Sequence, residues 1–141
     1  YIEILKKAFV IFELKPFSRN LRNELRKLRK IYFFDNGVRN ALINNFNSLD
    51  RRNDAGQLWE NFIISERVKI NSNHGNDYNM YFWRTHDKKE IDYLEEKNGK
   101  LYGYEIKLGS GRSSGAKLFL DTYPDSEFKV IKKDNYNELI F

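Results

Sequence analysis

The chain has 141 residues, no cysteine, 16% aromatic residues and a formal net charge of +5. Such a length is one ordinary domain with enough apolar material for a single core, and the lack of cysteine excludes disulfides and thiolate metal sites. No apolar run approaches the roughly 20 residues that span a bilayer, and no signal peptide opens the chain. It begins on Tyr1 and closes on "NELIF", so the expectation is a soluble, cytoplasmic piece of a longer protein. Any metal must be held by oxygen or by His74 and His86.

In chain order, "AFVIFELKPF" is rich in β-branched and aromatic residues and ends near Pro16, which predicts a strand, as does "KIYFFD" over 30–35. Between them, "KPFSRNLRNELRKLRK" carries much of the positive excess. Such a cluster attracts phosphate backbones, but it suits a solvated loop or helix face, or a contact with an acidic partner, better still. Asp35-Asn36 should cap a short helix through "GVRNALI". From Asp54 to Lys69 the residues Ala55, Leu58, Trp59, Phe62, Ile63 and Ile64 recur at helical spacing and predict an amphipathic helix. "NSNHGND" reads as a loop, and "YNMYFWRT", "EIDYLEE" and "KLYGYEIKLG" predict three successive strands. Asn98-Gly99 between two of them is a hairpin signal. "SGRSSG" then forms a loop, "AKLFLDTY" a short helix stopped near Pro124, and "EFKVIKK" and "ELIF" two closing strands. This order predicts an α/β sandwich rather than a doubly wound nucleotide fold.

Side chains alternate along a strand, so in "YEIKLG" Tyr104, Ile106 and Leu108 face one way while Glu105 and Lys107 face the other. The same rule puts Ile91 and Tyr93 on one face of "EIDYLEE" and Asp92 and Leu94 on the opposite one. A turn at Asn98-Gly99 then brings Asp92 near Glu105 on a common face. Two carboxylates and an ammonium are costly when half buried, because like charges repel and desolvation disfavours all three. Mg²⁺ removes the difficulty, since it takes hard oxygen ligands from one or two carboxylates, and the lysine beside it would orient water or stabilise charge on a phosphate.

Asp92 followed by Glu105-x-Lys107 on adjacent strands resembles the PD-(D/E)xK motif of the restriction-endonuclease-like superfamily. The motif often has a proline before its first aspartate; here Glu90 and Ile91 precede it. The segment from "YIEILKK" to "VRNALI", with "GQLWENFIISE", "YFWRTHDKKEIDYL" and "YEIKLG", is similar to successive blocks of the C-terminal domain of unknown function 4143. That domain follows an AAA-type, P-loop ATPase module in many bacterial and archaeal proteins.

The resemblance implies an α/β fold in which residues 36–141 form a restriction-endonuclease-like mixed sheet flanked by helices. Residues 1–35 would be an N-terminal hairpin or helix extension, with the end of a preceding winged-helix-like segment packed against the fold as a third possibility. It implies Mg²⁺- or Mn²⁺-dependent phosphodiester hydrolysis on DNA, with Asp92, Glu105 and Glu60 as metal ligands and Lys107 assisting the water. Glu60, in "GQLWENFIISE", enters through the resemblance alone; otherwise it reads as a helix-surface acid pairing with a neighbour such as Arg67. ATP would bind in the N-terminal module of the same protein, because this chain lacks G-x-x-x-x-G-K-[ST] and its "GSGRSSG" misses G-x-G-x-x-G by one residue. The partners implied are DNA and that ATPase module, with oligomerisation open.

Arg22, Arg26, Arg29, Arg84, Arg112 and Lys117 are the candidate phosphate contacts. For Arg84 an ion pair with a neighbouring acid is the alternative. Arg112 and Lys117 flank a helix start, where free N–H groups favour anions, in a loop that serves equally well as a plain linker. His74 and His86 lack ligand partners at metal-binding spacing and read as surface residues. The competing functional class is a non-catalytic nucleic-acid-binding or regulatory module.

Overall fold

The computed structural model describes residues 1–17 and 23–141, so Arg22 lies outside the described residues. The elements are α1 (Ile2–Lys7), β1 (Ile11–Pro16), α2 (Asn23–Arg26), β2 (Lys30–Phe33), α3 (Asn36–Leu42), a 3₁₀ turn (Leu49–Arg51), α4 (Ala55–Asn73), β3 (Asn79–Arg84), β4 (Glu90–Lys97), β5 (Lys100–Ile106), α5 (Ala116–Thr122), β6 (Glu127–Ile131) and α6 (Asn137–Ile140). Among the described residues six strands form one sheet in the order β2-β1-β3-β4-β5-β6. The sheet is mixed: β1 with β3 and β5 with β6 are parallel, and the remaining pairs are antiparallel. Ile63 and Ile64 of α4 and Leu139 and Ile140 of α6 pack on one face with Tyr93 and Ile106, while Phe119 of α5 packs on the other with Trp83, Ile91 and Leu94. The chain therefore has the expected α/β architecture, a mixed sheet flanked by helices. The β1–β2 hairpin extends that sheet, through the pairs Lys15↔Tyr81 and Pro16↔Phe82, rather than merely packing against it. Among the described residues no helix is long and apolar enough to cross a membrane.

Local chemistry explains several boundaries. Asn98 (φ 51°) and Gly99 (φ 79°) both adopt left-handed backbone, as a two-residue hairpin turn demands, and set the Lys97↔Lys100 register. The Asp35 carboxylate accepts from the Gly37 and Val38 amides at 2.6 and 3.2 Å and starts α3. Asn61 of α4 docks that helix on the edge strand: its amide accepts from Phe33 N and donates to Phe33 O, both at 2.8 Å, in the manner of a neighbouring strand.

Two readings of the sequence are corrected. "ELIF" closes the chain as the short helix α6, because Asn135 turns the backbone away from the sheet by accepting from Lys132 N and donating to Val130 O. Leu139 and Ile140 then reach the core beside α4 as helix residues. The strict alternation assumed for β4 also fails: a bulge sets three residues of β3 (Tyr81 to Trp83) against four of β4 (Leu94 to Ile91). Ile91 consequently shares the α5-side core with Leu94, while Tyr93 packs on the α4 side.

A buried ionic knot holds α4 to the sheet. Glu95 is fully buried, and its carboxylate accepts from Arg67 (2.6 and 2.9 Å), Asn71 (2.9 Å) and the Tyr93 hydroxyl (3.0 Å), with Lys97 at 3.0 Å. Arg67 also donates to Leu139 O at 3.0 Å, tying in α6. Burial alone would raise the Glu95 carboxyl, but Arg67, Asn71 and Lys97 outweigh it and hold it down at about 2. The folded value lies below the ordinary 4.5, so this stability is present above that pH and is lost as pH falls toward 2. Glu95→Gln should therefore cost ~3 kcal/mol near neutrality, as expected when one partner of a buried pair is removed, and should flatten the acid limb of the stability curve. Denaturant titrations at neutral and acidic pH measure both effects.

Candidate acidic site at one end of the sheet

The β4–β5 ladder stops at Tyr93↔Tyr104. Beyond it the Asp92 side chain replaces the strand: its Oδ2 accepts from Ile106 N at 2.8 Å. Asp92 Oδ1 lies 3.6 Å from Lys30 Nζ, which is 2.5 Å from Glu90 Oε1 and 3.4 Å from Glu60 Oε1. Lys30 reaches this point from β2, passing over the Phe82 ring of β3 at 5.6 Å from its centroid. The Tyr32 hydroxyl donates to the same Glu60 oxygen at 2.6 Å. Next to this group, the buried Glu105 places Oε1 2.8 Å from Lys107 Nζ, and its Oε2 is buried with no hydrogen-bond partner among the described residues.

These surroundings set the protonation states. Burial, then the charges of Glu60 and Glu105, push the Asp92 carboxyl up to about 7, against the opposing pull of Lys30 and the Ile106 amide. Lys107 is raised, first by its bond to Glu105, and stays an ammonium. Burial and then Glu60 raise Tyr32, which remains a neutral donor. Burial works against Lys30, but Glu60, Asp92 and Glu90 together outweigh it and raise its value.

The structure thus brings Glu60 and Asp92 together around Lys30 and sets the Glu105–Lys107 pair close enough for its charge to act on Asp92. Glu60 does not pair with Arg67, which is committed to Glu95. Among the described residues no group of three or more His, Cys, Asp or Glu stands as a ready ligand set for a metal ion. Lys30, Tyr32 and Glu90 belong to the site but were not singled out by sequence reasoning. A signal was present: Lys30 and Tyr32 are two apart in a strand, as are Glu90 and Asp92, so each pair shares a face where the strand is regular.

The candidate phosphate contacts are scattered. Arg26 and Arg29 are exposed, with Arg29 donating to the Arg26 and Leu28 carbonyls. Arg84 lies 4.0 Å from Glu90, which matches the ion-pair alternative. Arg112 is exposed, and Lys117 pairs with Asp121 at 2.8 Å.

An α/β domain with an acidic, lysine-bearing site at one sheet end is the class that fold and geometry define. Residues 55–137 match the family model described as Domain of unknown function (DUF4143), and the chain belongs to that family. Residues 1–49 match a second, Domain of unknown function (DUF8612). Lys30 and Tyr32 thus come from one matched segment, and Glu60, Glu90, Asp92 and Glu105 from the other. Uncharacterized proteins of Mycobacterium bovis and Mycobacterium tuberculosis are each 31% identical over 112 residues, which is 78% of this chain and 24% of the relative. The chain therefore spans about a quarter of the length of the curated relatives it matches. No solved structure gives a significant match.

Gly115, just before α5, lies directly on the start of β4: a Cβ there would meet Glu90 O at 2.7 Å. Gly115→Ala must displace backbone that carries the site and should cost ~2 kcal/mol, within the range for overpacking. Gly56→Ala, in α4 with nothing within 4 Å of the added methyl, should be neutral or gain ~0.5 kcal/mol. Thermal unfolding of the two variants side by side checks the contrast.

Proposed function

We propose that this chain is a nuclease-like domain of the PD-(D/E)xK kind, carried at the C-terminus of a prokaryotic AAA-type ATPase and acting on DNA. The observation that carries the reading is the convergence of Asp92, Glu105 and Lys107 at one sheet end, with Glu60 approaching from α4. The donor chemistry fits a hard divalent cation: every acid offers oxygen, and Glu105 has a buried oxygen without a partner among the described residues. Asp92, Glu105 and Glu60 would hold Mg²⁺ or Mn²⁺, which supplies charge stabilisation for a phosphoryl oxygen.

The chain's own groups divide the remaining work. Lys107, kept cationic by Glu105, acts as a donor that orients water or a phosphate oxygen rather than as a base. The Ile106 amide fixes one oxygen of Asp92, and Tyr32 fixes one of Glu60. Arg26 and Arg29, exposed on the approach to β2, supply phosphate contacts.

A second reading draws on Lys30. Its pairing with three acids compensates their charge internally and favours a non-catalytic module that binds nucleic acid or regulates the ATPase.

Incubation of labelled single-stranded, duplex and branched DNA with Mg²⁺ or Mn²⁺ tests both readings. Metal-dependent cleavage is expected, reduced at least ~10²-fold in Asp92→Ala and in Lys107→Ala, the scale for losing one electrostatic contributor. Cleavage untouched by Asp92→Ala overturns the nuclease assignment. Absence of cleavage, with DNA retention that survives EDTA, falls steeply with salt and weakens in Arg26→Ala and Arg29→Ala, supports the second reading.

A further inference from the structure

The acids at this end of the sheet already have a cation among them. Lys30 Nζ lies within 3.6 Å of Glu60, Glu90 and Asp92, with its side chain 22% exposed and lying over the Phe82 ring. A lysine ammonium is a compact, strongly hydrated point charge. Drawing it this far from water is favourable only because three carboxylates replace its hydration. A divalent ion on Asp92 and Glu60 would sit within a few ångströms of that ammonium, and the two charges would repel across a poorly screening interior. The same oxygens therefore serve one cation or the other.

We infer that Lys30 is an internal counter-ion that a divalent cation must displace from Glu60 and Asp92, which makes the Lys30 side chain a gate on metal loading. The inference rests on the metal-site reading of the preceding section. Three observations converge on it. The three distances place Lys30 as a counter-ion to these acids rather than as a surface lysine. Glu105, close enough to act on Asp92 and nine-tenths buried, keeps an oxygen with no partner among the described residues, so the site retains acceptor capacity that Lys30 leaves unused. The lysine and the acids also lie in the two separately matched segments, and β2 is an edge strand held by β1 and by the Asn61 clamp. Rotation of the Lys30 side chain withdraws the ammonium and leaves the carboxylates in place, since the Asn61 clamp and the Tyr32–Glu60 bond keep β2 on α4.

The test compares Mn²⁺ binding by calorimetry in the wild-type chain, Lys30→Met and Lys30→Arg. Methionine keeps the apolar stem over Phe82 and removes the charge; arginine keeps the charge. Lys30→Met is expected to bind Mn²⁺ at least about tenfold more tightly than wild type, a change worth ~1.4 kcal/mol, and to lose thermal stability in EDTA that Mn²⁺ restores. Lys30→Arg should stay near the wild-type affinity. In parallel, acylation of Lys30 by an N-hydroxysuccinimide ester, read by peptide mass spectrometry, should rise several-fold in wild type saturated with Mn²⁺. Equal Mn²⁺ affinity in wild type and Lys30→Met overturns the inference and leaves the metal site standing. Absence of binding in all three proteins removes the metal site, and the inference with it. Should Lys30→Met fail to fold even in Mn²⁺, wild-type labelling decides: increased acylation supports displacement and unchanged acylation overturns it.

Discussion

A carboxylate buried away from water must be met by donors, and Glu95 imposes that demand on the middle of β4. Arg67 meets it, which fixes the position of α4 along the strand. Glu60 precedes Arg67 by seven residues, two helical turns, on the same helix face, a rise of roughly 10.5 Å. Asp92 precedes Glu95 by three strand residues, a rise of roughly 10 Å. Once Arg67 is set against Glu95, Glu60 is therefore carried to the level of Asp92 without further adjustment. Asn61, beside Glu60, adds a second fixed point by pairing with the Phe33 backbone. The candidate site is thus held in place by a structural ion pair roughly 10 Å away from its chemistry.

The same helix face shows why the two ends differ. At Glu95 every charge is matched and hydrogen-bonded, and the carboxyl is held at about 2. At Asp92 burial and neighbouring acids win, and the carboxyl rises to about 7. The difference is one of partners. Arg67 gives Glu95 two short bonds, whereas Lys30 is shared among three acids and lies farthest from Asp92. A fully compensated network reads as structural, and an undercompensated one reads as a place for an incoming charge.

What the sequence reveals follows the range of the interaction involved. The Asn98-Gly99 hairpin, the Asp35 cap and the periodicity of α4 are local, and each was legible from a few neighbouring residues. So was the sorting of "YEIKLG", with Tyr104 and Ile106 in the α4-side core and Glu105 beside Lys107. The β4 bulge was not legible, because it arises from the mismatch of two strands across the sheet and leaves no turn residue behind. "ELIF" has strand-like composition, yet its burial against α4 is reached by a helical turn that the Asn135 side chain directs. The acids Asp92 and Glu105 emerged from alternation and turn chemistry, while Glu60 needed the family resemblance. Lys30 was seen only as the end of a basic run, since its role depends on crossing from β2 to β4 past two intervening strands.

That crossing bears on both functional readings. Acids gathered in a half-buried place require a cation, and a protein can supply one from its own chain or leave the position to an ion from solution. The first solution is permanent, stable and chemically silent; the second makes the site conditional on the ion. Here the internal cation comes from the edge strand β2, which the Asn61 clamp and the Tyr32–Glu60 bond hold on α4, while the acids come from β4 and α4. A structural counter-ion need not share an element with its acid, since Arg67 of α4 serves Glu95 of β4, so what sets Lys30 apart is that one ammonium is shared among three carboxylates. Charge compensation by one shared side chain is an arrangement in which one set of carboxylates can serve both as a closed structural network and as an open acidic site.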